Sequence, residues 1–187
     1  GVEENGYKNS GSIIINSSDE TAVSLISAKI TASDGTEIIP SGSPWAFEPY
    51  SRGDYSGRIS EDEFAALSDG AYTLFATATD FFDNSSSITV HFIKDSIAPQ
   101  APVLTASSIP GQIDLRWTSS ADEDVVGYNI LYSESEDGTF SSLNYSLLTE
   151  RSFTYPSNGS GYIDPGVAYW FKVQAIDRAG NIGETEP

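Results

Sequence analysis

Apolar residues recur at every second position through several short segments of this chain, the period of a β-strand with one buried face. Ile113, Leu115 and Trp117 alternate with Asp114, Arg116 and Thr118, and Tyr128, Ile130 and Tyr132 alternate with Asn129 and Leu131. Tyr169, Phe171, Val173 and Ala175 then alternate with Trp170, Lys172, Gln174 and Ile176. The first half repeats the pattern in Ile13 to Ile15, Val23 to Thr31, from Trp45 and Phe47 onward, Tyr72 to Thr79 and Ile88 to Ile93, with Glu61 to Leu67 reading as one helical turn. Asp34-Gly35 and Asp137-Gly138 are turn signals between such runs. Short strands separated by turns predict an all-β chain built as a sandwich or barrel.

The pattern stops at Lys94-Asp95-Ser96-Ile97-Ala98-Pro99-Gln100-Ala101-Pro102. Proline removes a ladder donor and holds its predecessor extended, so residues 96–102 read as a stiff linker between a module at 1–95 and another at 103–187. Superposing the halves supports a duplicated architecture. Counting from Tyr72, Ala78, Asp80 and Asn84 stand at +6, +8 and +12, and the same offsets from Tyr169 give Ala175, Asp177 and Asn181. An apolar residue and a glycine precede each tyrosine, Leu67 with Gly70 and Ile163 with Gly166. A tyrosine at such a corner, its hydroxyl bonded to the preceding backbone, is a recurrent device of β-sandwiches. Trp117 and Tyr169 are expected in the second core and Trp45 in the first.

From about residue 99 to 187 the chain resembles a fibronectin type III domain. The carrying motifs are the Pro-rich entry, Ile113-Asp114-Leu115-Arg116-Trp117, Gly127-Tyr128-Asn129-Ile130, and the run from Ile163-Asp164-Pro165-Gly166 to Gln174-Ala175. The ending Asn181-Ile182-Gly183-Glu184 is short for that family's last strand. The first half resembles a bacterial Ig-like repeat of large surface proteins, through Trp45-Ala46-Phe47, Leu67-Ser68-Asp69-Gly70-Ala71-Tyr72, Ala78-Thr79-Asp80 and the exit Asp95-Ser96-Ile97-Ala98-Pro99. It departs at Phe81-Phe82-Asp83-Asn84, where a small-residue turn is usual. The resemblance implies two tandem immunoglobulin-like β-sandwiches in an elongated arrangement.

Charge narrows the partners. A net charge of −18 and a pI near 4.1 argue against nucleic acid and anionic membrane surfaces, both of which need Lys and Arg. The absence of Cys excludes disulfides, thiolate metal sites and thiol redox chemistry. No transmembrane run or signal peptide is visible, and Gly1-Val2-Glu3-Glu4 does not resemble a translation start, so a fragment of a longer secreted or cell-surface protein is expected.

The candidate chemistry is sparse. His91, the single histidine, lies on a strand outside any nucleophile motif, and no glycine-rich phosphate cradle joins a strand to a helix, so no enzyme is expected. Arg52-Gly53-Asp54 matches an integrin tripeptide, but three specified residues recur by chance and the match reads first as a turn whose Gly serves its backbone. Trp45, Phe47, Tyr50 and Tyr55 could form a platform for sugar rings, although alternation puts Trp45 and Phe47 on one face, which the resemblance implies is the core. Trp170 falls on the outward phase of its strand. Asn16, Asn84, Asn144 and Asn158 stand in Asn-x-Ser sequons, which the bacterial resemblance leaves unused.

Calcium is the one ion for which the sequence offers candidate ligands, Asp95 at the exit of the first module with Asp122 and Asp124 in the expected B–C loop of the second. The alternative for acidic residues at hairpins, Asp80 and Asp177, is to cap their turns. The functional expectation is a monomeric, non-enzymatic spacer or interaction segment of a bacterial surface protein. Its partners would be neighbouring domains of the same polypeptide, with binding of cell-surface carbohydrate or protein, or service as an accessory of a secreted glycoside hydrolase, as rivals.

Overall fold

A computed structural model of the chain describes residues 2–19, 22–47, 55–157, 163–164 and 166–187. It forms two compact units, Gly1–Ser96 and Ile97–Pro187. Arg52-Gly53-Asp54, Tyr50 and Asn158 lie outside the described residues.

In the first unit the strands are β1 (Gly6–Lys8), β2 (Ile13–Ser17), β3 (Val23–Ala32), β4 (Glu37–Ile38), β5 (Trp45–Ala46), β6 (Tyr55–Ile59), β7 (Gly70–Asp80) and β8 (Ser85–Lys94), with helix α1 (Glu61–Ala65) between β6 and β7. The larger sheet runs β1-β8-β7-β3-β4, with β5 also on β3, while β2 and β6 pair antiparallel in a second sheet. Alternation decides what each strand buries. Ala28 and Ile30 of β3, Tyr72, Leu74 and Ala76 of β7 and Phe92 of β8 meet Ile13 and Ile59 of the second sheet in one core. Ala22, Val23, Ile26 and Tyr55 make a smaller second cluster.

Helix α1 closes the first core with Phe64, which is fully buried. It starts where Ser60 and Glu63 cap each other: the Glu63 N–H donates to Ser60 Oγ at 3.2 Å, and the Ser60 N–H donates to Glu63 Oε2 at 2.8 Å. Three residues from cap to acid is the spacing such a reciprocal cap needs.

The second unit contains β9 (Leu104–Ile109), β10 (Gln112–Trp117), β11 (Val125–Ser133), β12 (Ser141–Ser142), β13 (Ser152–Tyr155), β14 (Trp170–Asp177) and β15 (Ile182–Glu184). A three-stranded sheet, β13-β10-β9, faces a four-stranded one, β12-β11-β14-β15. Leu115 and Trp117 of the first pack on Tyr128, Ile130, Phe171, Val173 and Ala175 of the second. The short final strand is β15, whose pairing to β14 is continued by the Thr185 N–H donating to the Val173 carbonyl at 3.0 Å.

Two of the three aromatic expectations need correction. Trp117 is buried, but Tyr169 and Trp45 are only half-buried. Tyr169 precedes β14 and lies among Tyr132 and Tyr155, ring centroids 6.0 and 6.1 Å away. Trp45 lies over Gly57 of β6, where a Cβ would overlap its six-membered ring, and bridges the two clusters of the first unit. Its indole therefore reaches from β5 of the larger sheet onto the core-facing side of β6 while staying half-buried.

Candidate functional site

The feature the two units share most closely is the hairpin that follows the corner tyrosine. Val23 of β3 faces Asp80 and Val125 of β11 faces Asp177, and the register shifts directly afterwards in both, between Val23 and Leu25 and between Val125 and Gly127. Ala78 then pairs with Ser86 as Ala175 pairs with Gly183. The sequence offsets are thus structural equivalences.

Within each hairpin one aspartate organises the turn. The Asn84 N–H donates to Asp80 Oδ1 at 2.9 Å and its side-chain amide to Asp80 Oδ2 at 2.8 Å. Asn181 repeats this on Asp177 at 2.8 and 2.9 Å. The Asp80 N–H donates to the Asn84 carbonyl, and the Asp177 N–H to that of Asn181. The residue before each asparagine has positive φ, 65° at Asp83 and 86° at Gly180. The hydrogen bonds of Asn84 above all, and those of the Asn84 and Phe82 backbone, hold the Asp80 carboxyl below its ordinary value. The cap assignment for Asp80 and Asp177 is what the structure contains.

The turns differ in their side chains. Arg178 and Ala179 occupy the positions where the first unit has Phe81 and Phe82, and those phenylalanines are 39% and 72% exposed. Identical backbone bonds form with either pair, so the turn does not require the aromatics. They stand in the turn between β7 and β8, outside both strands, where the Ig-like repeat that the first half resembles has small residues.

The corner tyrosines use opposite polarity. The Tyr72 hydroxyl donates to the Ser68 carbonyl at 2.8 Å, whereas the Tyr169 hydroxyl accepts from the Asp164 N–H at 2.8 Å. Burial, then the charges of Asp34 and Asp69, push the Tyr72 hydroxyl up.

His91 sits on the exposed face of β8 beside Glu4, Nδ1 to Oε1 at 3.0 Å, and its N–H donates to the other Glu4 oxygen at 2.9 Å. That backbone bond is the main reason the Glu4 carboxyl lies below its ordinary value. The pair ties the start of the chain to the β8 edge, where β1 runs parallel to Phe92–Lys94. An open hollow of about 350 Å³ is lined by His91 together with Asn5, Thr31, Ala71, Tyr72 and Ile93.

Of the candidate calcium ligands, Asp122 is occupied within its own unit, accepting from the Gln100 N–H at 2.6 Å and the Ser120 hydroxyl at 2.9 Å. Asp124 approaches Asp177, their carboxylate oxygens within 4.8 Å, and its carbonyl accepts from the Arg178 N–H at 3.1 Å. Asp177, read from the sequence as a turn cap, is not among the calcium candidates Asp95, Asp122 and Asp124. Asp95 belongs to the first unit, its N–H donating to the Lys8 carbonyl at 3.1 Å.

The other singled-out residues are mostly structural. Phe47 meets Tyr55 edge-on at 5.0 Å, Tyr55 is buried, and Trp170 is half-buried in β14. Asn144 gives its amide to the Tyr128 and Ser146 carbonyls and to Asn129, and accepts from the Ile130 N–H, so it is a strut between β11 and the following loop. Asn16 is exposed on β2.

No family model matches the chain, and no curated protein matches it either. Among solved structures it is similar to the FN1-FN3 domains of chicken CNTN1, at 17% identity and a TM-score of 0.56 over 98% of this chain and 65% of that one. It therefore spans about two thirds of that chain's length. A tetra-tandem repeat in the extending region of a large adhesion protein matches at 17% identity and a TM-score of 0.33, covering 94% of this chain and 48% of that one. A two-domain fibronectin type III segment of chicken tenascin matches at 13% and 0.39, covering 96% and 90%. At these identities the likeness concerns the fold, an all-β pair of fibronectin-type and immunoglobulin-like sandwiches. No helix among the described residues is long and apolar enough to cross a membrane.

Proposed function

We propose that the chain is a non-enzymatic spacer and interaction segment of a larger bacterial surface or secreted protein, its two sandwiches serving as tandem modules. The observation that carries this reading is the duplication: the strand order β8-β7-β3-β4 recurs as β15-β14-β11-β12, with one bulge and one Asp–Asn hairpin at the same register in both units. Repetition of a scaffold supplies length and solubility, and a strongly acidic surface suits the second. Replacing both units, within the parent protein, by an unrelated pair of sandwiches of equal length tests it. Retained function of the parent supports the spacer; loss of function in a folded, exported replacement overturns it.

A second reading, an adhesin segment that contacts carbohydrate or protein, is favoured by Phe81 and Phe82. Exposed adjacent aromatics at a loop tip are characteristic of contact residues, and the matching turn forms without them. Phe81→Ser with Phe82→Ser should then abolish adhesion by the parent protein at unchanged stability, and undiminished adhesion would exclude the tip.

A further inference from the structure

The segment joining the two units carries two prolines and few side chains able to hold it, yet its backbone is tied at both ends. On the first unit Lys94 is 5% exposed, and its ammonium donates to the Leu67 carbonyl at 2.6 Å and lies 3.5 Å from Asp69. Asp69 in turn accepts from the Ser96 N–H at 2.9 Å and from the Ser96 hydroxyl at 2.9 and 3.0 Å. Burial would raise the Asp69 carboxyl, but the Ser96 bonds and the Lys94 charge outweigh it and hold the carboxyl below its ordinary value.

On the second unit the Gln100 N–H donates to Asp122, which the Ser120 hydroxyl also holds. The Gln100 bond is the chief reason that the Asp122 carboxyl lies low. Pro99 and Pro102 are buried, and the Pro99 carbonyl fits against Gly183 of β15 so closely that a Cβ there would overlap it. Just beyond, Val103 and Thr118 exchange bonds, the Val103 N–H to Thr118 Oγ1 at 3.0 Å and the Thr118 N–H to the Val103 carbonyl at 3.1 Å.

We propose that Asp69 and Asp122 are two independent anchors of the connecting segment, the first gripping Ser96 and the second gripping Gln100, with Gly183 as the seat for Pro99. An ionised carboxylate is a stronger acceptor than a carbonyl, which suits it to hold a lone N–H at an exposed position. Proline stiffens the segment internally; the carboxylates fasten it. The bearing of this on a spacer role rests on that reading, but the anchors themselves are testable without it.

The experiment is amide hydrogen exchange on the full chain, reading Ser96 and Gln100. Asp69→Ala should speed exchange at Ser96 by roughly tenfold or more and leave Gln100 unchanged. Asp122→Ala should do the reverse. Gly183→Ala touches neither carboxylate and should release Gln100 alone, so that the second anchor does not rest on the Asp122 variant by itself. Exchange at free-peptide rates in the unaltered chain, unchanged rates in the variants, or release of both amides by any one variant would overturn the proposal.

Discussion

The carboxylate of Asp177 accepts both the backbone and the side-chain amide of Asn181, at 2.8 and 2.9 Å, and Asp80 holds Asn84 in the same way. Asparagine is suited to this position because it supplies a second donor that fits the other carboxylate oxygen. Asn84→Ala and Asn181→Ala should each destabilise their own unit by about 1 kcal/mol, leaving the other unit's transition in place. Thermal or denaturant unfolding followed separately for the two units checks this. Equal loss in both units from one substitution would mean that the hairpins are not local devices.

The two turns place different residues in the left-handed region, Asp83 at φ 65° and Gly180 at 86°. A side chain there costs about 1–2 kcal/mol, and glycine loses about 0.5–1 kcal/mol in unfolded-chain entropy. Gly180→Ala should therefore destabilise the second unit by about 1 kcal/mol, while Asp83→Gly should be close to neutral because the terms oppose. Urea midpoints for the two variants separate these outcomes.

Much of this was legible in the residues. Alternation located β3, β7, β10, β11 and β14, because those strands each bury one face of a two-layer core, and the offsets from the tyrosines located both hairpins. Strands β6, β9 and β13 were missed, as were the short β1, β4 and β12. In β6, Gly57 interrupts the pattern at a position buried by Trp45, and β9 is exposed along most of its length, so neither shows an apolar face of period two. The half-burial of Trp45 was hidden for the same reason, since nothing near it in sequence reveals a glycine opposite. The anchors at Asp69 and Asp122 leave no local signal, as each lies more than twenty residues from the backbone it holds.

The corner tyrosines should respond unequally to loss of the hydroxyl. Tyr72 is 7% exposed and donates to a carbonyl, so Tyr72→Phe leaves an acceptor short of its bond and should cost about 1 kcal/mol. Tyr169 is half-buried and accepts from the exposed Asp164, whose N–H water can reach, so Tyr169→Phe should cost a few tenths, roughly 0.3 kcal/mol. Comparable losses in both would contradict the opposite polarity of the two bonds.

Acid should weaken the first unit through Glu63 and Asp80. The Ser60 N–H, then the Ser41 N–H, hold the Glu63 carboxyl below its ordinary 4.5, and the Asn84 bonds hold Asp80 below 3.8. A depressed folded value means that the stabilisation is complete above the ordinary values and is lost as pH falls through the lower folded ones. Unfolding midpoints of the first unit should be flat above about pH 5 and fall below about pH 4. Glu63→Gln should lower the plateau and flatten the fall. A slope unchanged by that substitution would assign the acid sensitivity elsewhere.

Trp45 and Gly57 give the sharpest test of how the first core closes. The indole lies where a Cβ on Gly57 would stand, so Gly57→Ala must displace the ring or the strand carrying it. Overpacking of this kind costs about 1–3 kcal/mol. Because Trp45 bridges the two apolar clusters, the ring should move outward and its fluorescence shift to the red, with loss of stability confined to the first unit. Trp45→Leu in the Gly57→Ala background should recover part of the loss, since a smaller side chain no longer meets the added methyl. A blue shift, or no rescue by leucine, would show that the glycine is required by the backbone of β6 and not by the indole above it.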